Sequence, residues 1–220
     1  MKDRLKVPNQ TRANGDQTRE KIINAAERLF GSLSFDTVSL RDITNEAGVT
    51  LALASYHFGT KENLFSAIIT RRADILNCTR RERLNALDIS GTMSVEAVLD
   101  AFIHPLFEQM KSDDEGWKAY LMLLTKLSMH DRWLHYLHEN FDETANLFIA
   151  QLKIILPDAP DEHLTRGFSF VLMLMLQTVS QNRRLDTLSN NRYSSTDLDA
   201  SYSSLLMFSL AGLTALTTSN

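Results

Sequence analysis

The chain has 220 residues, 44% of them hydrophobic and 23% charged, which is enough to bury one or two cores and excludes a disordered or fibrous protein. Its formal net charge of −4 excludes a protein that coats nucleic acid without regard to sequence. The charge is uneven, because residues 1–90 hold 14 Lys and Arg against 11 Asp and Glu while residues 91–220 hold 9 against 16, and a mildly basic front with an acidic rear suits a molecule that offers one end to DNA.

In chain order, residues 1–15 carry Lys2, Arg4, Lys6 and Arg12 against Asp3 and are expected to form a flexible basic arm. They hold no continuous apolar stretch of the kind a secretory leader needs. An opening helix from about Gln17 places Ile22, Ala26, Leu29 and Phe30 on one side. Ser39 then precedes a second helical pattern, and Asp42 three residues on completes a pair that can cap its start. Leu40, Ile43 and Ala47 form a short apolar stripe, and Gly48 follows as the residue that tolerates the positive φ of a helix end. Thr50 can cap a third helix whose Ala54 and Phe58 face back to the stripe. Two short helices about a glycine turn form a helix-turn-helix, whose second helix enters the major groove. Leu51, Ala52, Leu53 and Ser55 are not needed by the inward stripe and suit close approach to base edges and thymine methyls. Tyr56, His57 and Lys61 carry donors suited to phosphate oxygens.

These residues resemble the DNA-binding domain of the tetracycline-repressor (TetR) family of bacterial transcription regulators from about Gln17 to Leu64. The matching elements are Ile22, Ala26, Leu29 and Phe30; Phe35 and Thr37 before Ser39; Arg41-Asp42-Ile43; Ala47-Gly48-Val49-Thr50; Tyr56-His57-Phe58; and Lys61-Glu62. The resemblance implies that Arg41 joins Leu51, Ala52, Leu53 and Ser55 against bases, and that Thr37, Ser39, Thr50, Tyr56, His57 and Lys61 hold phosphates. Ala52 and Ser55 depart from the family's commonest pattern, which leaves the operator sequence open.

Beyond this point the pattern stays helical. A long helix from Thr60 to about Asp88 is expected to bury Leu64, Ile68, Ile75 and Leu76 and to leave Arg71, Arg72, Arg80, Arg81 and Arg83 solvated. Cys78, alone of its kind, permits no intramolecular disulfide, reads as a small, partly buried side chain and fits a reducing cytoplasm. Further helices are expected over about Ser94–Met110, kinked by Pro105, Trp117–Met129, Trp133–Leu156 with a bend near Asn140, Asp161–Asn182 and Leu198–Thr217. The fold class is all-α: an arm at 1–15, a helix-turn-helix domain at 16–62, and a helical effector-binding and dimerisation domain at 63–220.

The run from Phe168 to Leu176, broken by Ser169, is too short to span a bilayer, so no membrane association is expected. It and the final helix are apolar on more than one face and must be covered. A second copy is the expected cover, through Phe170, Met173, Leu174, Leu206, Leu210 and Leu213, as the resemblance also implies. Phe102, His104, Phe107, Trp117, Tyr120, Leu124, Phe141 and Phe148 are candidates for the lining of an apolar effector pocket. The segment from Val95 to Met110 is loosely similar to fatty-acid-responsive members of the family, which implies a lipophilic effector. The competing class is a helical metal enzyme using His135 and His138, with His130, Asp131 and Glu139 nearby. No nucleophile elbow, phosphate loop, zinc-protease motif or cofactor motif occurs. The partners expected are double-stranded DNA, a second copy of the chain and a small apolar molecule, in a repressor released from a pseudo-palindromic operator.

Overall fold

The computed structural model describes residues 10–216, so Lys2, Asp3, Arg4 and Lys6 of the expected arm lie outside the described residues. The first helix, α1 (Gln10–Ser32), already includes residues 10–15, which the sequence reading gave to the arm. It is followed by α2 (Leu40–Ala47), α3 (Leu51–Phe58) and the 30-residue α4 (Lys61–Ser90). Then come α5 (Val95–Lys111), α6 (Glu115–Leu127), a short 3-10 turn (Asp131–Trp133), α7 (Leu134–Leu137), a π-helical turn (His138–Asp142) and α8 (Glu143–Ile155). The chain closes with α9 (Asp161–Val179), α10 (Arg184–Leu188) and α11 (Leu198–Ala215). No strand occurs among the described residues.

Local chemistry sets the helix ends. Ser39 Oγ accepts from the Asp42 amide at 3.2 Å while the Ser39 amide donates to the Asp42 carboxylate at 2.8 Å, a reciprocal cap at the start of α2. Gly48 ends α2 at φ 65°, where a side chain would be strained. Thr60, Ser94, Asp114 and Asp197 cap α4, α5, α6 and α11 through their side chains. Thr50 stands before α3 and makes no such bond, contrary to the cap expected there.

The buried apolar residues form one continuous cluster, running from Ile22, Phe30 and Ile43 near the front to Leu164, Phe168 and Val171 at the rear. The front three helices are therefore docked on the rest, chiefly where α1 packs along α6. An aromatic group helps to hold that joint: Phe65 meets Phe30 edge-on at 5.0 Å between centroids, and Phe35 meets Trp133 at 5.2 Å. Beside it lies an ion cluster. Glu27 on α1 takes two bonds from Arg72 on α4, at 2.9 and 2.7 Å, and Arg72 reaches Asp114 at the start of α6 at 2.6 Å. Arg71 Nη2 stands 3.0 Å from the same Glu27 carboxylate. A Cβ on Gly116 would fall 2.2 Å from the Arg72 guanidinium, so only glycine admits this approach.

This arrangement corrects the reading of α4. Arg72 and Arg80 are buried and Arg71 half-buried, rather than solvated, because their partners come from α1, α5 and α6. Cys78, by contrast, is exposed; it donates to Glu82 at 3.4 Å, and that bond pushes its thiol pKa up and away from thiolate chemistry. The single helix expected over Trp133–Leu156 is instead divided by the π turn, close to the bend expected near Asn140. The α10 turn has no counterpart in the sequence reading, and α5 continues through Pro105 to Lys111.

Candidate nucleic-acid interface and effector cavity

Helix α3 is fixed from one side only. Ala54 and Phe58 are buried against the front core, while Leu51 at 40%, Leu53 at 39% and Tyr56 at 82% remain exposed. Ala52 and Ser55 are exposed on the same outward side, and Arg41 on α2 is exposed beside it. Large apolar side chains held outward on a rigid short helix are unusual unless something covers them. The five residues singled out from sequence as base-facing, Arg41, Leu51, Ala52, Leu53 and Ser55, are thus all exposed on or beside α3.

The phosphate set divides. Tyr56 and His57 flank the face, with their rings 5.2 Å apart, and the Thr50 hydroxyl is unused by the helix it precedes. Thr37 shares a hydrogen bond with Ser34 at 2.8 Å. Ser39 donates to Asp42 at 2.6 Å, and its bonds hold the Asp42 carboxyl below the ordinary carboxylate range. Lys61 corrects its expected role: its Nζ donates to the carbonyls of Phe35 at 2.9 Å and Val38 at 3.0 Å, and lies 4.1 Å over the Phe35 ring. The ammonium staples the α1–α2 loop instead of standing free for a phosphate.

A cavity of about 340 Å³ opens between α4, α5, the π turn and α9. Of the eight lining residues expected, Phe102, Leu124 and Phe141 line it. The other five do not. Phe107, Trp117, Tyr120 and Phe148 are buried core: Trp117 lies under the Arg72 guanidinium at 4.5 Å, and Tyr120 donates to the Ile69 carbonyl at 2.9 Å. Burial pushes the Tyr120 phenol pKa well up, so it is a neutral donor there. His104 stacks on Tyr202 at 4.8 Å on another face, where the Tyr202 hydroxyl donates to Asp100. Met173, expected at a dimer interface, contributes to this lining. The sequence reading missed Arg80, Leu76, Leu106 and Met175, because the helix period alone does not say which turns of α4 and α5 face each other.

The π turn is tied to α4. Thr70 donates to the Asn140 side chain at 2.8 Å, and the Asn77 amide donates to the Asn140 carbonyl at 2.6 Å. Insertions of this kind interrupt the ladder of a helix and recur at functional positions. His138, on that turn, pairs with Asp142 at 2.9 Å, and His135 packs on the Tyr136 ring. Among the described residues no three His, Cys, Asp or Glu converge as a metal site.

Elsewhere on the surface, α9 and α11 present a wide apolar face. Phe170 at 63% and Phe208 at 68% are exposed, with Met207 beside them. They border a groove of about 320 Å³ that includes Leu174 and Leu213. Leu206 and Leu210 are half-buried, whereas Leu213 is buried within its own chain. No helix among the described residues is long and apolar enough to cross a membrane.

Comparison with known proteins gives two family models: "Bacterial regulatory proteins, tetR family" over residues 22–68, and "Tetracyclin repressor-like, C-terminal domain" over residues 100–212. The HTH-type transcriptional regulator SrpR of Pseudomonas putida is 28% identical over 136 residues, 59% of this chain and 62% of that protein. The HTH-type transcriptional regulator BetI of Agrobacterium fabrum is 33% identical over 103 residues, 47% of this chain and 48% of that one. The chain thus spans less than two thirds of the length of these relatives. Among solved structures, the fatty acid degradation regulator FadR from Bacillus halodurans superposes with a TM-score of 0.66 at 16% identity, over 89% of this chain and 96% of that one.

Proposed function

This chain belongs to the TetR family of bacterial regulatory proteins, and from that premise we propose that it is a DNA-binding transcriptional repressor controlled by a small lipophilic molecule. The observation that carries the reading is the open face of α3, apolar and exposed at Leu51 and Leu53, on a helix held rigidly by Ala54 and Phe58. In this reading residues 16–62 form the reading head, and Arg41, Leu51, Ala52, Leu53 and Ser55 face base edges while Thr50, Tyr56 and His57 hold phosphates. A second copy covers Phe170, Met207 and Phe208 in an isologous contact, which sets two heads about one helical turn of DNA apart on a pseudo-palindrome. The chain then works in the cytoplasm.

Control follows from α4, which is separated from the end of α3 by two residues and later lines the cavity with Leu76 and Arg80. A molecule between α4 and the π turn favours one position of α4, and hence one spacing of the heads, in proportion to its difference in affinity for the two states. The test is to select bound fragments from source DNA and measure their affinity by fluorescence anisotropy. Specific sites with two-fold symmetry, lost when Leu53 is replaced by Glu, are expected; binding that does not distinguish sequences would refute the assignment.

A further inference from the structure

Two arginines of α4 are buried to a similar degree and treated in opposite ways. Arg72 faces two carboxylates, Glu27 and Asp114, whose bonds outweigh the cost of burial and hold its pKa above the ordinary range. Arg80 is only 3% exposed, and among the described residues no carboxylate lies within ion-pair distance of it. Its neighbours are neutral: Nε donates to the Phe102 carbonyl at 2.9 Å, Nη2 meets the Met175 sulfur at 3.7 Å, and the Phe102 ring lies 3.9 Å away. Burial pulls its pKa down to about 9, so the group is still a cation at neutral pH. A buried, unpaired cation is costly unless an anion meets it. Arg80 also lines the 340 Å³ cavity, whose other walls include Leu76, Leu106, Leu124 and Phe141. The one carboxylate on that lining, Asp142, is exposed at its edge and paired with His138.

We propose that the cavity binds an apolar monocarboxylate whose carboxylate seats on the fork of Arg80. An apolar wall with one buried, forked donor is the complement of a molecule with an acidic end and a hydrocarbon body. At about 30 Å³ per water-sized group, the cavity holds roughly a dozen such groups, the size of a ten-carbon chain acid or a naphthyl acid. Neutral alcohols of the same shape fill the walls and leave the cation unmatched. Amines add a second cation. The inference rests on the reading of this cavity as an effector site, but its test does not use DNA.

Binding of decanoate, decan-1-ol, decylamine, 2-naphthylacetate and 2-naphthylethanol to the full-length protein is measured by calorimetry. At least one acid is expected to bind about tenfold or more tightly than its alcohol, as a charge-assisted pair requires. Arg80→Met is expected to remove that preference while keeping the alcohol, and to melt no lower than the parent, since it replaces an unpaired charge by an apolar chain of like volume. With [1-13C]decanoate, the bound carboxylate of the parent should stay ionised at a pH where the free acid has protonated. Acids and alcohols binding alike, or an acid preference that survives Arg80→Met, overturns the proposal; so does a bound carboxylate that titrates like the free one. If an acid binds through Arg80 yet leaves affinity for selected DNA fragments unchanged, the site stands and the regulatory reading fails. If DNA binds specifically and no acid binds, the site alone fails.

Discussion

Replacing Glu27 by alanine tests whether the joint between the front helices and the body depends on a buried charge. Glu27 is buried, with 1% of its side chain exposed, and it accepts two bonds from Arg72, itself 8% exposed. Removing one partner of such a pair strands the other, which costs about 3–5 kcal/mol. Asp114 still meets Arg72 at 2.6 Å, so the loss should fall at the low end, about 3 kcal/mol. For a chain of this length that lowers the melting temperature by roughly 6–12 °C. The matched control is Glu108→Ala, which removes an ion pair with Arg83 of the same 2.7 Å length on the surface of α4 and α5. Exposed pairs contribute about 0–1 kcal/mol, and 1 M salt screens them at about 3 Å. Differential scanning calorimetry at low and high salt reads both. Equal losses for the two variants, or a Glu27→Ala loss that vanishes in salt, would refute the claim that burial decides.

Three further outcomes are expected. Tyr56→Ala should leave the stability within about 0.5 kcal/mol of the parent and weaken affinity for every DNA sequence, whereas Lys61→Met, which strands the Phe35 and Val38 carbonyls, should cost about 1–3 kcal/mol and leave the slope of affinity against salt unchanged; calorimetry and anisotropy separate them. Asp114 is held below its ordinary pKa, first by the hydrogen bond from Arg72, so its contribution is present above the unfolded value of about 3.9 and is lost as pH falls through the lower folded value. Melting of Asp114→Asn, which keeps the cap on Gly116, should therefore lie below the parent at neutral pH and converge with it below about pH 4. Phe208→Asp should convert a dimer to monomer in light scattering and lose symmetric DNA sites at equal protein concentration, without a fall in helicity.

The parts of the fold legible in the sequence are those whose causes lie within a few residues. Ser39, Asp42 and Gly48 specify α2 and its turn by chemistry confined to ten positions, and Ala54 with Phe58 fixes which side of α3 is inward. The outward set on α3 was readable for the same reason. What escaped depends on partners far along the chain. Arg72 finds Glu27 45 residues earlier, and Arg80 finds Phe102 22 residues later, so neither burial is visible in the period of α4. The aromatic set on α5, α6 and α8 has helical spacing whether it lines a cavity or a core, and Phe107, Trp117, Tyr120 and Phe148 fell to the core. Arg184–Leu188 has no apolar period, and its turn is set instead by Asp186, which accepts from the Ser195 amide at 3.2 Å.

The two charged features of α4 suggest a division of labour along one rod. About three turns from its start, Arg72 is matched inside the protein and ties α1, α4 and α6 together. Two turns on, Arg80 is left for an outside anion, about one turn past Asn77, which with Thr70 ties α4 to the π turn through Asn140. An Asn77 side-chain oxygen there is buried without a partner, so this seam is less well satisfied than the Arg72 joint. The cavity adjoins this seam through Phe141 and Asp142, which share the π turn with Asn140. If the seam shifts while the joint holds, α4 must carry α1 to α3 with it as one body, and displacement in the cavity becomes displacement of α3. Glu27→Ala then has a second consequence: with the joint loosened, ligand should still bind the cavity but change DNA affinity less. Undiminished coupling in that variant would show that the signal reaches α3 by another route.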